Sequence, residues 1–220
     1  MRDDLKRIVA TTVRISRRDL GSTVRDVKRK LASSHAIPND VLYTFGGLYE
    51  QQQIAFRGLT IILIAAIVLV FLLLLFLYES FRVAVAMLLI PLFAVAGVFI
   101  GLWVTGTEFN ITSRMGMTMI VGIVTEIAIF YYSEFRSLPA TGDRLILAGI
   151  NRMRAITMTV FAAILALFPL ALGIGHGSAM QQPLAIAIIS GLIFSVPLVL
   201  IVLPALLAIF DSKTARLATE

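Results

Sequence analysis

Five stretches of this chain are apolar for long enough to cross the hydrocarbon core of a bilayer as helices, which takes about 20 residues each. They run near Thr60–Tyr78, Val83–Val104, Ile111–Tyr132, Ile156–Ile174 and Leu184–Phe210. Composition agrees: 59% of the 220 residues are hydrophobic and 15% charged, against about 45 to 50% and 25% in a soluble domain. In lipid every backbone N–H and C=O must find a partner within the protein, so the expected fold is a membrane all-α bundle of five transmembrane helices. The last stretch is long enough to tilt, and it contains Pro197 and Pro204. Prolines there require neighbouring helices or waters to satisfy the freed carbonyls, which argues for a packed bundle.

Residues 1 to 50 have another character and read as the end of a separate soluble domain, with 51 to 210 as the membrane domain and 211 to 220 as a tail. Residues 1 to 57 hold eleven of the nineteen basic residues. The run from Arg7 to Ser16 alternates apolar and polar residues like a half-buried strand. Asp19 or Ser22 can cap a helix through Leu31 whose stripe is Val24, Val27 and Leu31, and Val41 to Phe45 reads as a second strand. The expectation is a short β-α-β fragment before the bundle. The first residues lack the apolar core of a cleavable signal peptide.

Basic residues in the connectors set the orientation. Arg82, Arg136, Arg144, Arg152, Arg154, Lys213 and Arg216 gather on one side, whereas the opposite connectors hold only Arg114, at a span edge. The first side is expected to be cytoplasmic, with the carboxy terminus there and the amino-terminal segment outside. That places eleven positive charges on the side the rule disfavours, which is consistent if the segment is the tail of an exported domain whose earlier part, with further spans, is missing from this chain.

Three segments carry a resemblance: "GGLYEQQQIAFRGL" leading into a span, "GTEFNITSRMGMTMIVGIVTEIAIF" through another, and "RMRAITMTVFAAILALFPLALGIGHGSAMQQPLAIAIISGLIFS" through the last two. In order and spacing, together with "VRISRRDLGSTVRDVKRKL" ahead of them, they resemble the carboxy-terminal part of resistance-nodulation-division (RND) efflux permeases. The resemblance implies the end of a periplasmic porter domain followed by the last five of twelve helices. It also implies a proton-driven homotrimer of the bacterial inner membrane that works with a periplasmic adaptor and an outer-membrane channel.

Glu126 is the residue that most needs explaining. It lies just past the middle of its span, where an ionised acid costs about 2.5 to 3.5 kcal/mol on insertion scales. Acids at that depth usually face a bundle interior or a water path, which suits a residue that takes up and releases a proton. Thr112, Met115, Met119, Gly122 and Ser133 fall within about 40° of its direction on a helix. The alternative is a structural acid bonded to a neighbouring helix. By resemblance, Glu126 stands where drug-exporting permeases have the Lys of a Lys-Asn pair and heavy-metal exporters have Glu, with Ile127 in place of Asn. The Lys that metal exporters carry in the next helix is Ile156 here, so drug-like and metal substrates both stay open. The resemblance completes the proton site with acids on a helix this chain does not contain. It adds Thr159, and Arg152 on the cytoplasmic side, to the relay. On the residues alone, Thr159 and Thr157 serve equally as hydroxyls bonded to their own helix, and Arg152 as a topology charge.

Other patterns point to packing. Met115 and Met119 share the face of Glu126 and could suit a soft metal, but methionine more often fills gaps. His176 lacks a second ligand at suitable spacing, so no metal site and no cofactor is expected. Gly97 and Gly101 form a small-xxx-small pair that suits close helix contact. No hydrolase, phosphate-loop or zinc motif is present, which argues against an enzyme. The basic residues between Arg17 and Lys30 mix with Asp19 and Asp26 and read as a solvated face, not a nucleic-acid site. Two functions follow as expectations: a portion of a proton-coupled exporter of small molecules or metal ions, dependent on the remainder of the permease, or a non-transporting membrane remnant or assembly partner.

Overall fold

The computed structural model describes residues 2–3, 6–7, 20–34, 48–139, 144–175 and 178–210. The chain divides into two compact units, Met1–Ile54 and Ala55–Glu220.

In the first unit, strands β1 (Arg2–Asp3) and β2 (Lys6–Arg7) pair antiparallel, and α1 runs from Leu20 to Ser34. The helix lies where the apolar stripe placed it, but the stripe is only partly used: Val24 is buried and Leu31 half-buried, whereas Val27 is 40% exposed. The β-α-β unit is not seen among the described residues. Both expected strands, beyond Arg7 in the first and the whole of 41 to 45 in the second, lie outside them.

The second unit's described residues form helices joined by short connectors. α2 (Leu48–Tyr78, beginning in the first unit's range), α3 (Phe81–Val104), α4 (Ile111–Ser137), α5 (Arg144–Ala171) and α6 (Ser178–Pro197) follow in order. A π-helical turn over Leu198–Val202 then leads into α7 (Leu203–Phe210). Five helical segments are long and apolar enough to cross a membrane, from Gln53–Tyr78 to Ser178–Phe210. Each begins at or before the position expected from hydropathy alone. The largest difference is α5, which starts at Arg144 and so carries Arg144, Arg152 and Arg154 as helical residues ahead of its apolar stretch. The π turn is the local answer to the prolines. Leu203 N–H reaches back to Leu198 O, five residues away, next to Pro204, which has no N–H to give.

α6 is the centre of the bundle and packs against α3, α4 and α5. Small residues let it do so: Ala185, Ala187, Ser190, Gly191 and Ser195 are all buried. Without a hydrophobic drive between helices in lipid, close backbone approach and dispersion supply the attraction. On α3, a Cβ at Gly97 would stand 2.5 Å from Phe194 Cγ, and one at Gly101 would overlap Ser190. On the other side of α6, Ile120 of α4 fills the space left by Gly191. Ile90, Val98, Ile120, Val124, Leu192 and Leu203 are fully enclosed in this core. α4 begins with a capping box, in which Asn110 Oδ1 accepts from Ser113 N at 3.0 Å and Ser113 Oγ accepts from Asn110 N at 2.9 Å.

Candidate functional site

α4 offers two faces. One is buried against the bundle through Met117, Ile120, Val121, Val124, Ala128 and Tyr131. The other carries Met115, Met119, Gly122, Glu126 and Ser133, all exposed, and nothing lies within 4 Å of a Cβ built on Gly122. The stripe that follows Glu126 by helical period is therefore open along its length among the described residues. Exposure here does not follow from apolarity alone, since Met115 and Met119 are 44% and 49% exposed beside Gly122, Glu126 and Ser133.

α5 is held to α4 near their connected ends. Glu134 Oε2 accepts from Arg152 Nε at 3.0 Å and Glu134 Oε1 accepts from Asn151 Nδ2 at 3.1 Å. Tyr131 OH donates to Leu145 O at 2.6 Å, and the Arg144 guanidinium lies 4.4 Å from the centroid of the Phe135 ring. Consecutive packed helices joined by so short a connector run antiparallel. Glu126 is eight residues before Glu134 and Thr159 seven residues after Arg152. At about 1.5 Å per residue both then lie at a similar depth, about 12 and about 10 Å from the ion pair.

The expected relay residues are thus placed, but among the described residues they do not touch. Glu126 and Thr159 are both exposed. Thr159 Oγ1 donates to Ala155 O at 2.9 Å within its own helix, and Thr157 is exposed as well. Arg152 is engaged by Glu134, a partner that the sequence reading missed. The signal was available as an acid near the end of one span followed by an Arg early in the next helix. The described residues contain no group of three or more His, Cys, Asp or Glu able to hold a metal ion. His176 lies outside the described residues. What the site presents is one carboxylate at mid-depth on an uncovered helix face, level with a hydroxyl on the adjacent helix and followed towards the end of α4 by a carboxylate that is already paired.

Comparison with known proteins extends this. Residues 1–211 match the AcrB/AcrD/AcrF family. The chain is 31% identical over 216 residues to the cobalt-zinc-cadmium resistance protein CzcA of Cupriavidus metallidurans, covering 96% of this chain and 20% of that protein. It is 30% identical over 202 residues to the multidrug resistance protein MdtC of Proteus mirabilis, covering 90% of this chain and 20% of that protein. The crystal structure of a heavy metal efflux pump superposes with a TM-score of 0.79 at 29% identity, over 90% of this chain and 20% of that one. The chain spans about a fifth of the length of the curated relatives it matches.

Proposed function

This chain belongs to the AcrB/AcrD/AcrF family and corresponds to the carboxy-terminal portion of an RND efflux permease, and from that membership we propose that it supplies part of the proton-coupling site of such a permease. In this reading Glu126 binds and releases the driving proton, Thr159 at the same depth assists, and Arg152, buttressed by Glu134, acts on the cytoplasmic side. The single observation that carries it is the open face of α4. A mid-span carboxylate is expensive in lipid, and here it sits on the side of the helix that this chain leaves uncovered. The remainder of the permease covers that face and brings the acids that complete the site. Gly97 and Gly101 serve the packing of α3 on α6 that holds this portion together.

The wider assignment follows the same line. Residues 1 to 50 belong to the end of a periplasmic porter domain, 51 to 210 hold the membrane helices and 211 to 220 are a cytoplasmic tail. The whole protein is a multi-pass protein of the bacterial inner membrane that works as a homotrimer with a periplasmic adaptor and an outer-membrane channel. Relatives named for metal resistance and for multidrug resistance match at similar identity, so the exported class is a metal ion or a small drug-like molecule. The test is Glu126→Gln in the chain expressed with the remainder of the permease. Proton-driven efflux should be abolished while the trimer still assembles; retained export refutes the assignment.

A further inference from the structure

Arg114 is the residue that the relay leaves unexplained. As a topology charge at a span edge it would extend its guanidinium into water. Instead the side chain turns to α2. Its Nη1 donates to Thr60 Oγ1 at 2.7 Å and to Phe56 O at 3.2 Å. Thr60 Oγ1 itself donates to Phe56 O at 2.8 Å, which closes a small polar triangle on the first turns of the span. The guanidinium carbon lies 4.5 Å from the centroid of the Phe56 ring and 5.1 Å from that of Phe109. Arg114 Nε is buried without a hydrogen-bond partner among the described residues. A planar, weakly hydrated guanidinium tolerates such a setting between aromatic rings far better than an ammonium does.

The contact matters because α2 is otherwise lightly attached. Ile61, Ile64, Val68, Leu69 and Leu72 are exposed along its length. Near its far end it is anchored by the fully buried Leu74, by Phe71 edge-on to Phe81 at 5.8 Å, and by Tyr78 edge-on to Tyr132 at 4.6 Å. Two of these ties, Arg114 and Tyr132, come from α4, and they flank Glu126. Arg114 precedes it by twelve residues and Tyr132 follows it by six, about 18 and about 9 Å along the helix axis. A shift or rotation of α4 therefore either carries α2 along or breaks one tie.

We propose that Arg114 is a positioning residue that clamps α2 to α4, so that α2 follows α4 when the state of Glu126 changes. The proposal rests on the proton-coupling reading only for the source of α4's movement.

The absence of cysteine from the chain makes paired spin labels straightforward. One pair, Ile61→Cys with Met119→Cys, reports the Arg114 end, and a second, Leu77→Cys with Ser133→Cys, reports the Tyr132 end. Dipolar EPR on the chain in lipid nanodiscs compares Arg114, Arg114→Ala and Arg114→Lys, each with and without Glu126→Gln. With Arg114 present the first pair should show one narrow separation that Glu126→Gln leaves in place. With Ala or Lys it should broaden and shift on Glu126→Gln while the second pair stays narrow. A narrow first pair in both substitutions, or a Lys variant indistinguishable from Arg114, overturns the clamp. If Arg114→Ala also broadens the second pair, the bundle has loosened and Arg114→Lys decides. The breadth of the first pair in the Arg114 substitutions needs neither transport nor the relay. Efflux retained by Glu126→Gln would therefore refute the relay and remove only the shift on Glu126→Gln, and the clamp is then judged by that breadth.

Discussion

Gly97→Ala tests how closely α3 and α6 are fitted. The added Cβ would stand 2.5 Å from Phe194 Cγ and 2.7 Å from both Phe194 Cβ and Cδ2. Ordinary carbon contacts are about 3.5 to 4.0 Å, so the neighbours must part by roughly 1 Å. A change of χ1 at Phe194 can move Cγ and Cδ2 away but not Cβ, which is fixed to the α6 backbone. The helices themselves must therefore separate, and overpacking of this kind costs about 1 to 3 kcal/mol. The gain in helix propensity from Gly to Ala, about 1 kcal/mol, opposes it, so the single substitution understates the clash. A double-mutant cycle with Phe194→Gly isolates it, because propensity terms cancel and all three overlapping atoms are removed. The expected coupling is about 1 to 3 kcal/mol in favour of the pair, with about 1.4 kcal/mol for each factor of ten in the folding equilibrium. Equilibrium unfolding in mixed detergent micelles, followed by the fluorescence of Trp103, the sole tryptophan, measures it. If the two effects simply add, to within about 0.5 kcal/mol, the close contact is not what sets the α3–α6 spacing.

Three further outcomes follow from the geometry. Asn110→Ala removes the capping acceptor at the start of α4 and should lower stability by about 0.5 to 2 kcal/mol in the same unfolding assay. Tyr131→Phe deletes a buried hydroxyl that donates to Leu145 O at 2.6 Å and should lower it by about 0.5 to 1.5 kcal/mol without loss of helicity by circular dichroism. Nitroxides placed singly at Met119, which is 49% exposed, and at Ile120, which is fully buried, should differ in collisions with dissolved oxygen in liposomes. The Met119 label should be the more accessible, and that excess should vanish when the remainder of the permease is present.

The parts of this fold legible in sequence are those governed by one-dimensional quantities. Apolar length gave five spans, because the bilayer sets a thickness that a helix must meet. Helical period placed Thr112, Met115, Met119 and Gly122 on the side of Glu126, since that direction depends only on rotation per residue. Which side of α4 the bundle covers was not legible, because it depends on what α3, α5 and α6 bring to it. The same limit hid Glu134 as the partner of Arg152 and Phe194 as the neighbour of Gly97. Small residues announced close packing at Gly97 and Gly101 but gave no address for the contact. Arg114 was noted only for its position at a span edge, whereas its surroundings are the rings of Phe56 and Phe109. The Val27 position in α1 shows the converse: a correct stripe can still leave one apolar member facing out.

The π turn between Pro197 and Leu203 has an effect on geometry as well as on hydrogen bonding. Ser195, Val199, Leu203 and Leu207 are all buried, at 0%, 0%, 0% and 1% exposure, and follow one another at intervals of four. On an ordinary α-helix each such interval overshoots a full turn by about 40°, so Leu207 would have swung about 120° from Ser195 and faced outward. The π turn takes up one extra residue without extra winding, which removes about 100° of that drift. The turn works as a vernier that keeps four side chains in line against the bundle, and deleting a single residue from 198 to 202 would rotate everything after it out of register.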